Sequence, residues 1–129
     1  ETLDAFLTQQ MARFDLDEAK TALVGFSQGT MMALHVGLRR ARPFAGIVGY
    51  SGALPGLSAL REEIRSRPPV MLIHGDADPM VPVQAMHLAQ QGLEALNVPV
   101  EAHVRPGLEH GIDEAGVELG ARFLKEVLV

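Results

Sequence analysis

The feature that most constrains the fold of this chain is the alternation of short apolar runs with longer segments of helical periodicity. Three of the runs are apolar almost throughout, at 21–25, 45–50 and 70–74. A fourth segment, 98–104, alternates valine and alanine with Glu101 and His103. Short runs that are apolar on both faces are typical of buried parallel strands, whereas the alternating segment predicts an edge strand with one wetter face.

The segments between these runs have apolar residues at every third or fourth position. This periodicity predicts helices at 1–14, 31–38 and 83–96, and a closing helix marked by Val117, Ala121, Leu124 and Leu128. Residues 51–69 predict a surface excursion with one short helix. We therefore expect one α/β domain over residues 1–129, with about four parallel strands and helices on both faces.

Composition excludes several functional classes. The net charge is −5, and this acidic balance argues against nucleic acid as a partner. The chain has no cysteine, so disulfides, thiol catalysis and cysteine metal sites are excluded. No apolar run approaches the ~20 residues that a membrane span requires. A cytoplasmic location is expected.

The first chemical motif lies between the first strand and the helix that follows. Gly25-Phe26-Ser27-Gln28-Gly29 fits G-x-S-x-G, in which a serine on a tight strand-to-helix turn exposes its hydroxyl as a nucleophile. We expect both glycines to be required, because a side chain at either position would collide across the turn. The N–H of Gln28 then faces an oxyanion. The alternative is a glycine-rich turn whose serine only caps the helix.

A candidate acid follows the third strand, in the run 74–82. This kind of fold delivers its triad in the order serine, acid, histidine. Asp78 lies on a loop that could reach a histidine, whereas Asp76 sits close to the strand end, where a carboxylate often caps the turn. Asp78 is therefore preferred. A metal site formed by His74 and the two aspartates is disfavoured, because its spacing does not suit zinc.

The candidate base is His110. It alone among five histidines lies in a loop after the last strand, on the side where the sites of parallel sheets gather. The remaining four are assigned to helices or strands and to structural roles: His35, His74, His87 and His103. His74 in particular, at a strand end, is expected to be satisfied by its neighbours.

Four motifs in order resemble one known family: residues 25–29, 51–55, 74–82 and 109–111. They are similar to the bacterial phospholipase/carboxylesterase family, which includes the acyl-protein thioesterases and has the α/β-hydrolase fold. The resemblance implies hydrolysis of carboxylic esters or thioesters without a metal or organic cofactor. It also implies roles for Ser27 as nucleophile, Asp78 as orienting acid, His110 as base and Gln28 as oxyanion donor. Glu109 departs from the glycine that often precedes the histidine.

The resemblance also implies further N-terminal strands and an H-G-x-G-type loop with a second oxyanion donor. Nothing in residues 1–20 resembles that loop. We therefore expect an N-terminally incomplete domain, in which a homo-oligomer or a complementing N-terminal segment covers the open side of the first strand.

The substrate is expected to be a small acyl ester or thioester. Apolar residues in loops beside the triad are candidates for an acyl-binding wall: Leu54, Leu57, Met80 and Val81. Two alternatives remain open. One is a non-catalytic hydrolase-fold module or inactive fragment. The other is a flavodoxin-like or receiver-like binding domain, although the chain lacks a glycine-rich phosphate loop.

Overall fold

Helices and strands alternate along the chain in the computed structural model, which describes residues 2–129. The helices are α1 (Thr2–Arg13), α2 (Gln28–Gly37), α3 (Leu57–Glu63), α4 (Val83–Ala95) and α5 (Glu114–Leu128). The strands are β1 (Ala22–Phe26), β2 (Gly46–Tyr50), β3 (Val70–Gly75) and β4 (Val100–Arg105). A single 3-10 turn, Glu18–Lys20, precedes β1. Glu1, the first residue of the predicted helix 1–14, lies outside the described residues.

The four strands form one parallel sheet in the order β1-β2-β3-β4. Every residue of β2 and β3 is buried, as the uninterrupted apolar runs require. Because all strands point the same way, the residues that follow β1, β2, β3 and β4 meet at one end of the sheet, beyond the carboxyl ends of the strands. The predicted α/β fold with about four parallel strands is therefore confirmed.

Helices cover both faces of the sheet, and each face has its own apolar cluster. On one face, α2, α3 and α4 contribute Leu34, Leu60 and Leu93 to a core built on Ile47 and Leu72. On the other face, α5 packs Phe123 against β2 and β3. In the described part of the chain, no helix is both long and apolar enough to cross a membrane.

The first strand is not the fully buried strand that its apolar run alone predicts, but it does have the open side that is expected of it above. It forms one edge of the sheet, and the exposed fraction of Val24 is 57%. The physical reason is that α5 packs against β2 and β3, so Val24 and Phe26 on the same face of β1 stay largely exposed. The apolar residues of α1 are likewise only partly buried: Met11 is buried, whereas Phe6 is exposed.

The fourth strand begins two residues later than predicted. Asn97, which follows α4, adopts a left-handed backbone conformation (φ 64°) of the kind that terminates helices. The N–H of Val98 then donates to the carbonyl of Leu93 at 2.9 Å, and its side chain enters the core beside α4. The first two residues of the alternating segment 98–104 therefore belong to the connection after α4, and the strand itself starts at Val100.

Candidate active site

The turn between β1 and α2 is a strained elbow centred on Ser27. Ser27 has φ 56° and ψ −115°, a backbone conformation that L-residues rarely adopt. It is held there because its N–H donates to the carbonyl of Tyr50 at 2.8 Å and its own carbonyl accepts the N–H of Thr30 at 3.0 Å. A Cβ atom on Gly25 would lie 2.5 Å from the carbonyl carbon of Gly29. Gly25 is therefore required, as predicted.

Gly29 behaves differently from its partner. A Cβ atom at Gly29 would meet no heavy atom of residues 2–129 within 4 Å, so the predicted collision is wrong for this position. The reason is that Gly29 faces an open apolar groove of about 380 Å³ between α1, β1 and α2. The groove is lined by Leu3, Leu7, Leu23, Val24, Gly29, Met32 and Ala33.

The structure brings Ser27, Asp78 and His110 into one hydrogen-bonded chain. His110 Nε2 lies 3.0 Å from Ser27 Oγ, and His110 Nδ1 lies 2.7 Å from Asp78 Oδ2. Because an ionised carboxylate can only accept, Nδ1 carries the proton of that bond, and the lone pair of Nε2 faces the serine hydroxyl. Gln28 begins α2, where the first backbone N–H groups have no acceptor within the helix.

The Asp78 carboxylate is buried and accepts several hydrogen bonds. Oδ1 receives the N–H groups of Met80 at 2.8 Å and Val81 at 2.9 Å, while Oδ2 receives His110. Burial acts to raise the pKa of Asp78, but the bonds from Val81, His110 and Met80 together outweigh it. The pKa of Asp78 is therefore held below its ordinary value, and the group is ionised at neutral pH.

Asp76, the rejected acid, binds a backbone group instead. Its Oδ1 accepts the N–H of Gly107 at 2.8 Å, and the N–H of Ala77 donates to the carbonyl of Leu108 at 3.0 Å. A Cβ atom on Gly75 would collide with that same carbonyl of Leu108. These contacts tie the loop that carries Asp78 to the loop that carries His110.

Two neighbours of His110 were not anticipated from the sequence. Ser51, which follows β2 with φ 55°, donates from Oγ to the carbonyl of Gly111 at 3.1 Å. The ring of Phe26 lies 5.0 Å from the His110 ring, centroid to centroid. Ser51 belongs to a motif that carried the family resemblance, but a serine after a strand gives no sign of which loop its hydroxyl will reach.

The remaining histidines lie apart from the Ser27 hydroxyl or face other groups. His74 is buried and its Nε2 lies 2.7 Å from the carbonyl of Val81. His103 Nε2 lies 2.6 Å from Glu101 on β4, while His87 is exposed on α4 and His35 is partly buried on α2. Within residues 2–129, no group of three or more His, Asp or Glu side chains is arranged to hold a metal ion.

The four apolar candidates for substrate contact separate into two pairs. Leu54 and Leu57 line a groove of about 470 Å³ between α3 and α4, and both also pack on the core. The residues lining that groove do not include the Ser27, Asp78 and His110 group. Met80 and Val81 follow Asp78 directly, and the exposed fraction of Met80 is 72%.

A parallel sheet with helices on both faces, an elbow serine after one strand and an acid and a histidine after later strands are the features of an α/β-hydrolase. Comparison with known families agrees. Residues 1–128 match the family model described as Phospholipase/Carboxylesterase, and the chain belongs to this family.

Relatives and solved structures support the same assignment. The chain is 29% identical over 127 residues to acyl-protein thioesterase 1 of Gibberella zeae, covering 95% of this chain and 54% of that protein. It is 33% identical over 111 residues to acyl-protein thioesterase 1 of Saccharomyces cerevisiae, covering 81% of this chain and 48% of that protein. The crystal structure of esterase PE8 superposes with a TM-score of 0.95 at 44% identity, covering 98% of this chain and 59% of that one. The chain thus spans about half the length of the curated relatives it matches.

Proposed function

We propose that this protein is a serine hydrolase that cleaves carboxylic esters or thioesters, with Ser27 as nucleophile, His110 as base and Asp78 as orienting acid. The observation that carries the proposal is the hydrogen-bonded chain Ser27 Oγ–His110 Nε2 and His110 Nδ1–Asp78 Oδ2, at 3.0 and 2.7 Å. The hydrolase class is supported independently by family membership and by the esterase and thioesterase relatives.

In the acylation half, Ser27 Oγ forms a bond to the acyl carbonyl carbon while its proton passes to His110 Nε2. The carbonyl π electrons move onto oxygen, and the oxyanion accepts the N–H of Gln28. One donor of this kind is worth about 10²–10³ in rate. The tetrahedral species then collapses and expels the alcohol or thiol, which takes the proton from His110 Nε2.

In the deacylation half, water attacks the acyl group on Ser27 and gives a proton to His110 Nε2. Collapse breaks the bond to Ser27 Oγ, which recovers the proton, and a carboxylic acid leaves. The net reaction is ester plus water to acid plus alcohol, so no oxidant or cofactor is required. Asp78 keeps the imidazole in the tautomer with Nδ1–H and stabilises the imidazolium that forms in each half.

An acyl chain on Ser27 has apolar surface available nearby. Met80 is the best placed of the four predicted wall residues, because it is exposed and lies two positions after Asp78. Leu54 and Leu57 remain candidates through the α3–α4 groove. A non-catalytic hydrolase-fold module is the rival, and it differs in one respect: it does not activate Ser27.

The test is covalent labelling with a fluorophosphonate, followed by ester hydrolysis. Wild-type protein is expected to label at Ser27 and to hydrolyse short-chain and medium-chain acyl esters. Ser27→Ala is expected to lose the label and to lower kcat by roughly 10⁴–10⁶. Ser58→Ala, at an exposed serine of α3, is the matched control and should label normally. Retention of a tenth of the activity in Ser27→Ala would contradict the assignment.

A further inference from the structure

His74 is a buried imidazole beside the Asp78 carboxylate that the proposed mechanism leaves without a role. It is the penultimate residue of β3 and only 1% exposed. Its Nε2 lies 2.7 Å from the carbonyl oxygen of Val81 and 3.5 Å from Asp78 Oδ2. Because a carbonyl oxygen can only accept, Nε2 carries a hydrogen in this bond. His74 therefore cannot accept the serine proton through Nε2; it acts there as a donor.

The bond from His74 completes a closed turn. Oδ1 of Asp78 already accepts the N–H groups of Met80 and Val81. With His74 bound to the carbonyl of Val81, both backbone polar groups of that residue are held, one by the carboxylate and one by the imidazole. The turn 78–81 is thus fixed from two sides, and the orientation of the carboxylate is fixed with it.

The consequence reaches His110 through Oδ2. That oxygen receives His110 Nδ1 at 2.7 Å, and the fully buried Asp78 side chain has no solvent to which it could turn. A small rotation of the carboxylate would lengthen this bond and turn the His110 imidazole away from Ser27. Such misplacement, by about 1 Å, costs about 10²-fold in rate even when it originates away from the reacting atoms.

We propose that His74 is a positioning residue: its Nε2–H holds the carbonyl of Val81 and so fixes the Asp78 carboxylate in the orientation that aligns His110. The inference rests on the proposed function for its kinetic consequence, but the geometry it describes exists whether or not the protein turns over esters.

Two substitutions of His74 distinguish the effect of its hydrogen bond from the effect of its packing. His74→Gln retains an N–H donor at similar reach, whereas His74→Leu fills the space without a donor. His74→Leu is expected to lower kcat by about 10²-fold with little change in KM. His74→Gln is expected to recover most of the loss. Val70→Ala, at the far end of the same strand, is the control: it removes buried apolar contacts and should lower the Tm while kcat stays unchanged.

The readout that does not depend on turnover is the downfield proton resonance of His110 Nδ1–H, which reports its bond to Asp78. It is expected in wild type and His74→Gln, and to broaden or vanish in His74→Leu. An unchanged kcat and resonance in His74→Leu would overturn the proposal, as would losses of kcat that simply follow Tm in all three variants. If wild type shows the resonance but hydrolyses no ester, the proposed function fails while the spectra of the two His74 variants still decide the positioning role.

Discussion

The acid–base half and the nucleophile half of the candidate site are built very differently. Asp78 and His110 lie on two loops joined by several hydrogen bonds, including those from the N–H of Gly107 to Asp76 and from the N–H of Ala77 to Leu108. The proposed nucleophile, Ser27, by contrast follows a strand at the edge of the sheet. Around it, apolar side chains face outward: Val24, Phe26 and Met32. One half is enclosed by its own neighbours, and the other is open on one side.

This difference shows which half of the candidate site the described residues enclose by themselves. Asp78 follows the buried strand β3, and the partners that the described residues give it lie between residues 74 and 110. Among the described residues, β1 has a neighbouring strand on one side only, and apolar side chains such as Val24 are exposed beside its outer edge. Strand edges of this kind favour contact with further protein. The prediction that a second copy of the chain or a complementing segment covers this side therefore remains, and it concerns the nucleophile half alone.

The largest effect on stability and activity is expected from one added methyl group, Gly75→Ala, in the half of the site that contains Asp78 and His110. Gly75→Ala would drive a Cβ atom into the carbonyl of Leu108, so the loop that carries His110 must move. Overpacking of this kind costs about 1–3 kcal/mol of the free energy of unfolding. We also expect kcat to fall by at least about 10²-fold, because the displaced loop carries the base.

Urea unfolding and ester kinetics on Gly75→Ala check this expectation. Gly111→Ala provides a matched control on the neighbouring loop, since a Cβ atom there would meet no heavy atom of the described residues within 4 Å. Wild-type stability and kcat in Gly75→Ala would mean that the two loops are not packed as tightly as the structure has them.

An intermediate effect should appear in acid. The pKa of Asp78 is lower in the folded protein than its ordinary value, because its bonds from Val81, His110 and Met80 outweigh its burial. Asp78 therefore contributes stability above its unfolded pKa, about 3.9, and this contribution is lost as the pH falls through the lower folded value. The difference in free energy of unfolding between wild type and Asp78→Asn should therefore shrink in acid. A difference that grows in acid would reverse the sign of the argument.

The enclosed half was also the half that sequence could describe. The apolar run 70–74 predicted β3, and its neighbours leave it buried on both faces. The motif after it contained Asp78, and the loop after the fourth strand contained His110; the structure brings these two side chains within hydrogen-bonding distance of each other. Local pattern suffices there because strand, turn and partner lie close together in the chain or in adjacent strands.

Local apolar pattern failed where the burial of a strand depends on which helix packs over it. The run 21–25 has the composition of a buried strand, yet Val24 is exposed because α5 reaches β2 and β3. The same limit applies to Gly29, whose predicted collision depended on surroundings that the described residues do not supply. The apolar composition of a segment predicts that it will be buried, but only the packed structure shows whether another element covers it.

The smallest expected effect tests the open half directly. Gly29 is the second residue of α2, and glycine inside a helix is less favourable than alanine by roughly 0.5–1 kcal/mol. Since a Cβ atom at this position would meet no heavy atom of the described residues within 4 Å, Gly29→Ala should raise the free energy of unfolding of this chain by about that amount. Gly25→Ala, across the same turn, is the matched opposite, because its Cβ atom would lie 2.5 Å from backbone carbon.

Urea unfolding of both variants, together with sedimentation at several concentrations, gives the comparison. A stabilised Gly29→Ala beside a destabilised Gly25→Ala means that the space over α2 is empty in the species measured. If Gly29→Ala is instead destabilised and dissociates an oligomer, a second copy fills that space, because a methyl group can only be rejected by atoms already there. Equal destabilisation of both variants in a monomer would break the contrast between the two halves, since the nucleophile turn would then be enclosed by this chain's own residues.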